Sequence, residues 1–404
     1  MDFDKDNSTV SKTNNRKIGL LLIGIILIGA NLRAPLTSVG SLISFIRDDL
    51  GISNAVAGTI TTLPLLAFAF LSPFAAKIAG RLGIERTIFY SLIVLTLGIS
   101  IRSLPTVSTL FAGTLLIGLA IAIGNVLLPG FIKMNFPLRI GLMTGIYAVS
   151  MNIFAALAAG LSFPISSING FGWRGALGVW GLLAFITLVI WLPQIRHGKQ
   201  RNVNSTVAPS VKTTAIWRSP LAWKITIFMG LQSLIFYTLM TWLPDILRVH
   251  GYSSGSAGWM LFLLQFSIIP VTFIMPIVAG WMKNQVALTG FTALLFFVGI
   301  AGLLYGNHVF IPLWAVMIGI ACGSSFSLSM MFFTLRTTDF QQAAKMSGMA
   351  QSFGYLLAAT GPVLFGGLHD LTDSWTMPLV MLLGASIILL VVGIGAGKDG
   401  VVEQ

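Results

Sequence analysis

The chain has 404 residues, of which 55% are hydrophobic and only 9% charged, with a mean hydropathy of +0.90. Soluble domains carry about 25% charged residues, so a water-facing globular protein is excluded, and the apolar content excludes a disordered chain. A net charge of +12 would suggest nucleic acid in a soluble protein; here Lys and Arg gather in alternate loops, and no nucleic-acid partner is expected.

In chain order, apolar runs bounded by Pro, Gly or charge predict twelve membrane-spanning helices. They cover residues 18–46, 54–77, 86–104, 109–132, 141–166, 175–195, 221–247, 256–281, 286–305, 310–334, 344–367 and 376–397. The predicted fold class is an all-α membrane protein with twelve transmembrane helices in two pseudo-symmetric six-helix bundles. A polar tail covers 1–17, the first bundle 18–196, a flexible linker 197–219, the second bundle 220–397 and a short tail 398–404. The tail 1–17 lacks the features of a cleavable signal peptide, so the first span is expected to serve as the insertion signal. With a cytoplasmic N-terminus, all but five of the 24 Lys and Arg fall on the cytoplasmic side. Arg47, Arg102, Arg174 and Arg248 fall outside, and Arg33 lies within the membrane. The asymmetry places both termini in the cytoplasm. Trp173, Trp217, Trp242 and Trp375 read as an interfacial belt.

The two halves resemble each other. Gly51-Ile-Ser53-Asn-Ala-Val-Ala57-Gly58 follows span 1, and Gly251-Tyr-Ser253-Ser-Gly-Ser-Ala257-Gly258 follows span 7. Both read G-x-S-x-x-x-A-G. Leu142-Met-Thr-Gly145 opens span 5 and Lys345-Met-Ser-Gly348 opens span 11. Two matches in the same order at nearly the same offset indicate a duplicated six-span unit, the architecture of a carrier whose halves rock about a central site.

Arg33 sits near the middle of span 1, in Gly29-Ala-Asn31-Leu-Arg33-Ala-Pro35-Leu-Thr37. A guanidinium at that depth costs at least about 3 kcal/mol unless it faces a cavity or a partner. It also stays charged at physiological pH. Pro35 removes a backbone hydrogen bond and predicts a bend just beyond itself. Every carboxylate lies in a tail, a loop or a helix end, so none is available in the bilayer core to neutralise Arg33. A buried unpaired cation calls for a counter-ion, and the candidate is an anionic or strongly electronegative substrate held by the guanidinium fork. The competing structural reading has Arg33 bonded to helix carbonyls and Asn31, holding the bundle together. The absence of an embedded Asp, Glu or His disfavours a dedicated proton relay. Asp245, near the outer end of span 7, reads as a solvated helix-end charge.

Other polar residues lie at similar depth. Asn31 is expected to orient Arg33 or bind beside it. Gln232 and Phe236 share a helix face with Tyr237 adjacent, Gln351 and Tyr355 share another, and Gln265 and Tyr147 complete the candidate lining. Asn125 and Asn152 fit cavity lining and interhelical bonding equally. Gly361-Pro362 is a hinge candidate. His197, His250, His308 and His369 fall in or beside loops, and Cys322 is the single cysteine. These exclude an intrachain disulfide and any metal site in the membrane core, and no cofactor is expected. No phosphate loop or nucleophile triad is present, so an enzyme is rejected.

The 2–3 loop, Ala76-Lys-Ile-Ala-Gly80-Arg81-Leu-Gly83-Ile-Glu85-Arg86, resembles a degraded G-x-x-x-D-R-x-G-R-R/K signature of the major facilitator superfamily. Arg81, Gly83 and Arg86 match, while Gly80 stands in place of the Asp. These three, with Pro35, Gly361 and Pro362, are the expected gating residues. Ala30-Asn-Leu-Arg-Ala-Pro-Leu-Thr-Ser-Val39, Gly124-Asn-Val-Leu-Leu-Pro-Gly-Phe-Ile-Lys133, Gly141-Leu-Met-Thr-Gly-Ile-Tyr147, Gly172-Trp-Arg174 and Phe228-Met-Gly-Leu-Gln-Ser-Leu-Ile-Phe-Tyr237 together resemble the cyanate / 2-nitroimidazole transporter family (CynX/NimT type). That resemblance implies a bacterial cytoplasmic-membrane carrier of small molecules, with Arg33 matching the family's span 1 arginine.

The resulting expectation is a monomeric, multi-pass, alternating-access carrier of a small polar, anionic solute. The alternative is an efflux carrier for polar heterocycles, in which Arg33 binds a nitro group. A ligand-sensing receptor ranks below both, because the tails and linker offer no signalling domain.

Overall fold

The computed structural model describes residues 19–136, 139–197, 214–338 and 340–402. The N-terminal tail and most of the expected linker lie outside the described residues.

The first span is built from four pieces: α1 (19–31), α2 (Ala34–Thr37), a 3-10 turn (Gly40–Leu42) and α3 (Ile43–Leu50). Spans 2–6 are α4 (Asn54–Leu82), α5 (Ile84–Arg102), α6 (Val107–Asn135), α7 (Ile140–Ser166) and α8 (Gly172–Trp191). Short helices α9 (Gln194–His197) and α10 (Thr214–Arg218) flank the linker. Spans 7–12 are α11 (Pro220–Val249), α12 (Ser254–Trp281), α13 (Val286–Tyr305), α14 (Ile311–Leu335), α15 (Phe340–Thr372) and α16 (Thr376–Gly397). Among the described residues, eleven spans are long and apolar enough to cross a bilayer. The remaining span, α15, is 33 residues long and opens on a polar stretch that includes Gln342 and Lys345.

The repeated motif has a structural cause at both copies. Gly51 and Gly251 close their helices at φ 61° and 86°, a conformation that side chains with a Cβ resist. Ser53 and Ser253 then cap the next helix, accepting from Val56 N and Ser256 N at 3.2 Å each. Ala57 and Ala257 are fully buried. Gly58 and Gly258 face the opposite bundle: a Cβ on Gly58 would meet the Pro362 carbonyl oxygen at 2.5 Å, and one on Gly258 the Ala159 carbonyl oxygen at 3.3 Å. The bundles thus meet along two pseudo-equivalent seams, α4 against α15 and α7 against α12. At the motif end of the molecule α11 also touches span 1, where a Cβ on Gly40 would collide with the Met240 carbonyl.

Three sequence readings need correction. The break in span 1 precedes Pro35 rather than following it: Leu32 and Arg33 leave the helix, with Arg33 at φ −129° and ψ −36°. Pro35 has no N–H for the carbonyl four residues back, and it biases its predecessor away from helical geometry. Arg102 is not a loop charge but is fully buried at the end of α5. Trp173, Trp242 and Trp375 are buried rather than belt residues, and Trp242 Nε1 donates to Pro362 O at 2.9 Å. Only Trp217 of the four is exposed.

Candidate substrate site between the bundles

The break in span 1 presents Arg33 to the bundle interface. Its carbonyl restarts the helix, accepting from Leu36 N at 2.9 Å and Thr37 N at 3.0 Å. The side chain is half-buried, and Nη1 donates to Asn152 Oδ1 on α7 at 3.1 Å. From the other bundle, Phe236 places its ring 4.6 Å below the guanidinium, a contact worth about 1–2 kcal/mol when desolvated. Tyr237 packs edge-on against Phe236, with centroids 4.9 Å apart. Tyr147, Tyr237, Tyr355 and Cys322 lie in the wider neighbourhood of Arg33. Tyr355 also meets Phe68 edge-on at 5.4 Å. Helices α7, α11, α14 and α15 therefore converge on one cation at the interface. No carboxylate among the described residues pairs with Arg33. The arrangement suits a small planar acceptor that can take two N–H bonds and lie against aromatic rings.

The other sequence candidates are placed differently. Asn31 Nδ2 donates to Leu27 O and to Thr187 Oγ1 on α8, both at 2.8 Å, and so faces away from Arg33. Gln232 bonds Ser233 Oγ at 2.7 Å on its own helix. Gln351 bonds Ser347 Oγ at 2.9 Å. Gln265 is fully buried, and neither of its amide atoms has a partner among the described residues. Gly361 and Pro362 lie within an unbroken α15. Arg81 is exposed near the end of α4, Gly83 forms the turn into α5 at φ 89°, and Arg86 lies in the first turn of α5. Phe68 and Cys322 escaped sequence reasoning, because an aromatic and a lone cysteine among apolar neighbours carry no periodic signal. A cleft of about 390 Å³ lies between α7 and α12, lined by residues that include Ile146, Val149 and Phe273. It has no charged side chain and is not the polar site.

Toward the motif end, the interface above Arg33 is closed. Thr241 Oγ1 lies 2.8 Å from Thr61 Oγ1 across the bundles. Arg47 Nη1 lies 2.8 Å from Asp245 Oδ2 and 2.7 Å from Asn54 Oδ1. Asn54 Nδ2 donates to Asp370 Oδ1 at 2.7 Å, and His369 Nδ1 lies 3.1 Å from the same amide nitrogen. Asp245 is thus nearly enclosed in an ion pair, contrary to its reading as a solvated charge.

The comparisons with known proteins agree with this architecture. The sequence profile of the Major Facilitator Superfamily matches residues 21–362. The chain is 48% identical over 394 residues to the uncharacterized transporter YycB of Bacillus subtilis, covering 97% of each chain. It is 41% identical to the 2-nitroimidazole transporter of Escherichia coli, covering 97% of this chain and 98% of the relative. It is 26% identical to the cyanate transport protein CynX of Escherichia coli, covering 92% and 96%. Among solved structures, the nucleoside transporter NupG superposes with a TM-score of 0.76 at 15% identity, covering 94% of this chain and all of that one. A bacterial homologue of the human lysosomal transporter Spinster, in an inward-facing conformation, superposes at 0.73 with 15% identity, covering 93% and 95%. The chain is a multi-pass membrane transporter of small solutes, not an enzyme, and it belongs to the major facilitator superfamily, in the branch that holds the 2-nitroimidazole and cyanate transporters.

Proposed function

We propose that the protein carries a small polar, anionic solute across the cytoplasmic membrane by alternating access, acting as a monomer with both termini in the cytoplasm. One observation carries this reading: Arg33 lies at the bundle interface against Asn152 and Phe236, with Tyr237 packed on Phe236 and no carboxylate paired to it among the described residues. A solute bearing negative charge supplies the missing partner and gives up water for N–H and O–H donors. Bundles 18–196 and 220–397 rock about this site, joined by linker 197–219. With both termini in the cytoplasm, the closed Arg47–Asp245 end faces outward on this reading, and the solute reaches Arg33 from the cytoplasm.

A second reading is export of a planar nitroheterocycle. It is favoured by the Phe236 and Phe68 rings beside Arg33 and by the relative named as a 2-nitroimidazole transporter. A nitro group offers the same two acceptor oxygens as a carboxylate, without the charge.

Counterflow in proteoliposomes separates the two. Cyanate, nitrate, small carboxylates and 2-nitroimidazole are each tested on wild type and Arg33→Gln. Exchange of an anion by wild type, lost in a folded Arg33→Gln, is the expected result. Exchange of the heterocycle alone favours the second reading. Wild-type exchange in Arg33→Gln overturns both.

A further inference from the structure

Arg102 is a second cation inside the protein, separate from Arg33. It is 0% exposed. Its Nη1 donates to the Pro35 carbonyl at 2.7 Å, while Nε and Nη2 have no hydrogen-bond partner among the described residues. No acidic side chain pairs with it there. The dipole of the α5 C-terminus supplies only about half a negative charge.

Beside the guanidinium lies a cavity of about 10 Å³, room for one small particle. Arg102, Thr61 and Thr114 of the first bundle line it together with Tyr237 and Met240 of the second. The hydroxyl of Thr114 is committed to Leu110 O at 2.7 Å, and Thr61 bonds Thr241. The unused donors are those of Arg102. A water molecule there would satisfy hydrogen bonds but leave the charge uncompensated, and an uncompensated buried charge is strongly destabilising. A monoatomic anion would satisfy both.

We propose that this cavity binds a single halide-sized anion, chloride in the cell, on Arg102. The cavity is walled by both bundles and lies between Arg33 and the Arg47–Asp245 closure. An anion that binds only when these walls meet stabilises the closed conformation at this end, so chloride acts as a latch on the transport cycle. The inference does not depend on which solute is carried.

The test uses the full-length protein in detergent, with unfolding temperature measured at constant ionic strength in chloride, bromide, sulfate and gluconate. Chloride and bromide should raise it by a few degrees over gluconate. Sulfate stabilises proteins generally by exclusion from their surface, so any shift it gives should be the same in wild type and in Arg102→Gln. The halide shift should persist in Arg33→Gln and vanish in Arg102→Gln. Equal temperatures in chloride and gluconate, or a halide shift retained in Arg102→Gln, overturn the proposal and leave the Arg33 reading untouched. Should Arg102→Gln fail to fold, anomalous diffraction from wild-type crystals grown in bromide decides. A bromide peak within bonding reach of Nε and Nη2 supports the site, and a density map without one overturns it.

Discussion

Arg47 Nη1 and Asp245 Oδ2 stand 2.8 Å apart and join α3 of one bundle to α11 of the other. Arg248 Nη1 adds a second contact to the same carboxylate at 3.6 Å. Tyr237 and Asp245 are eight residues apart on α11, so the pair closes the interface about 12 Å above Tyr237. Asp245 is nearly enclosed while both arginines reach solvent. Removing its charge should therefore cost the closed state about 1–3 kcal/mol, between the values for surface and buried pairs. Asp245→Asn is expected to separate spin labels placed at Leu50→Cys and Val249→Cys. Cys322 is buried and should not compete for label. An unchanged distance distribution would show that the pair does not hold the closure. Exchanging the charges, Arg47→Asp with Asp245→Arg, should restore part of the short distance.

Asp370 gives the same closure an acid limit. Its carboxylate accepts from Ala55 N at 2.8 Å, from Asn54 N at 3.1 Å and from Asn54 Nδ2 at 2.7 Å, across the seam at the start of α4. Partial burial works to raise its pKa, but these bonds from Ala55 and Asn54 outweigh it and hold the group below the usual carboxylate value. A depressed folded value means that the contact stabilises the closed form above the unfolded pKa, about 3.9, and that this is lost as pH falls through the folded value. The label distance in wild type should therefore be constant at neutral pH and lengthen below about pH 4. Asp370→Asn should remove most of that step. A step centred near pH 6 to 7 would overturn the assignment to Asp370.

The extent of each helix was legible because apolar runs end where Gly, Pro and charge begin, and the duplicated motif proved to be a helix stop, a cap and a seam glycine. Arg33 was legible for a different reason, since a charge inside an apolar run contradicts its surroundings. Arg102 was not legible. It occupies the last turn of its helix, where a cation reads as an interface charge, and only the fold shows that its side chain turns inward to Pro35. Asp245 misled in the same way. Residues brought together from five spans, such as Asn152, Phe68 and Cys322, have no sequence spacing that marks them as neighbours.

At the other end of the second bundle, Arg336 is 2% exposed and binds the C-terminal segment. Nε donates to Ala396 O at 3.1 Å and Nη2 to Gly397 O at 2.9 Å, and Nη2 also bonds Gln285 Oε1. Gln285 N in turn donates to Gly397 O at 2.8 Å. Removing the guanidinium leaves several buried acceptors without donors, at about 3–5 kcal/mol in all. Arg336→Ala should lower the unfolding temperature by several degrees while the affinity of folded protein for its solute stays unchanged. Arg336→Lys should recover only part, because an ammonium cannot span three acceptors in one plane. A wild-type unfolding temperature in Arg336→Ala would show the clamp to be dispensable.

The two seam glycines predict opposite outcomes for one substitution. A Cβ on Gly58 would lie 2.5 Å from the Pro362 carbonyl oxygen and 2.8 Å from its carbon, both backbone atoms of α15, which also takes the Trp242 bond at that carbonyl. The helices must separate, at about 1–3 kcal/mol. A Cβ on Gly258 would find its nearest neighbours at 3.3 Å, the Ala159 carbonyl oxygen and the Ser41 hydroxyl that donates to it, a tight contact that a shift of a few tenths of an ångström relieves. There the gain of about 1 kcal/mol from replacing a mid-helix glycine offsets the crowding. Gly58→Ala should therefore open the label distance between Leu50→Cys and Val249→Cys and slow exchange. Gly258→Ala should leave both near wild type and hold or raise the unfolding temperature. Equal effects at the two positions would mean that the seams are equally loose, and that the tight contact of Gly58 with Pro362 does not set how closely the bundles meet.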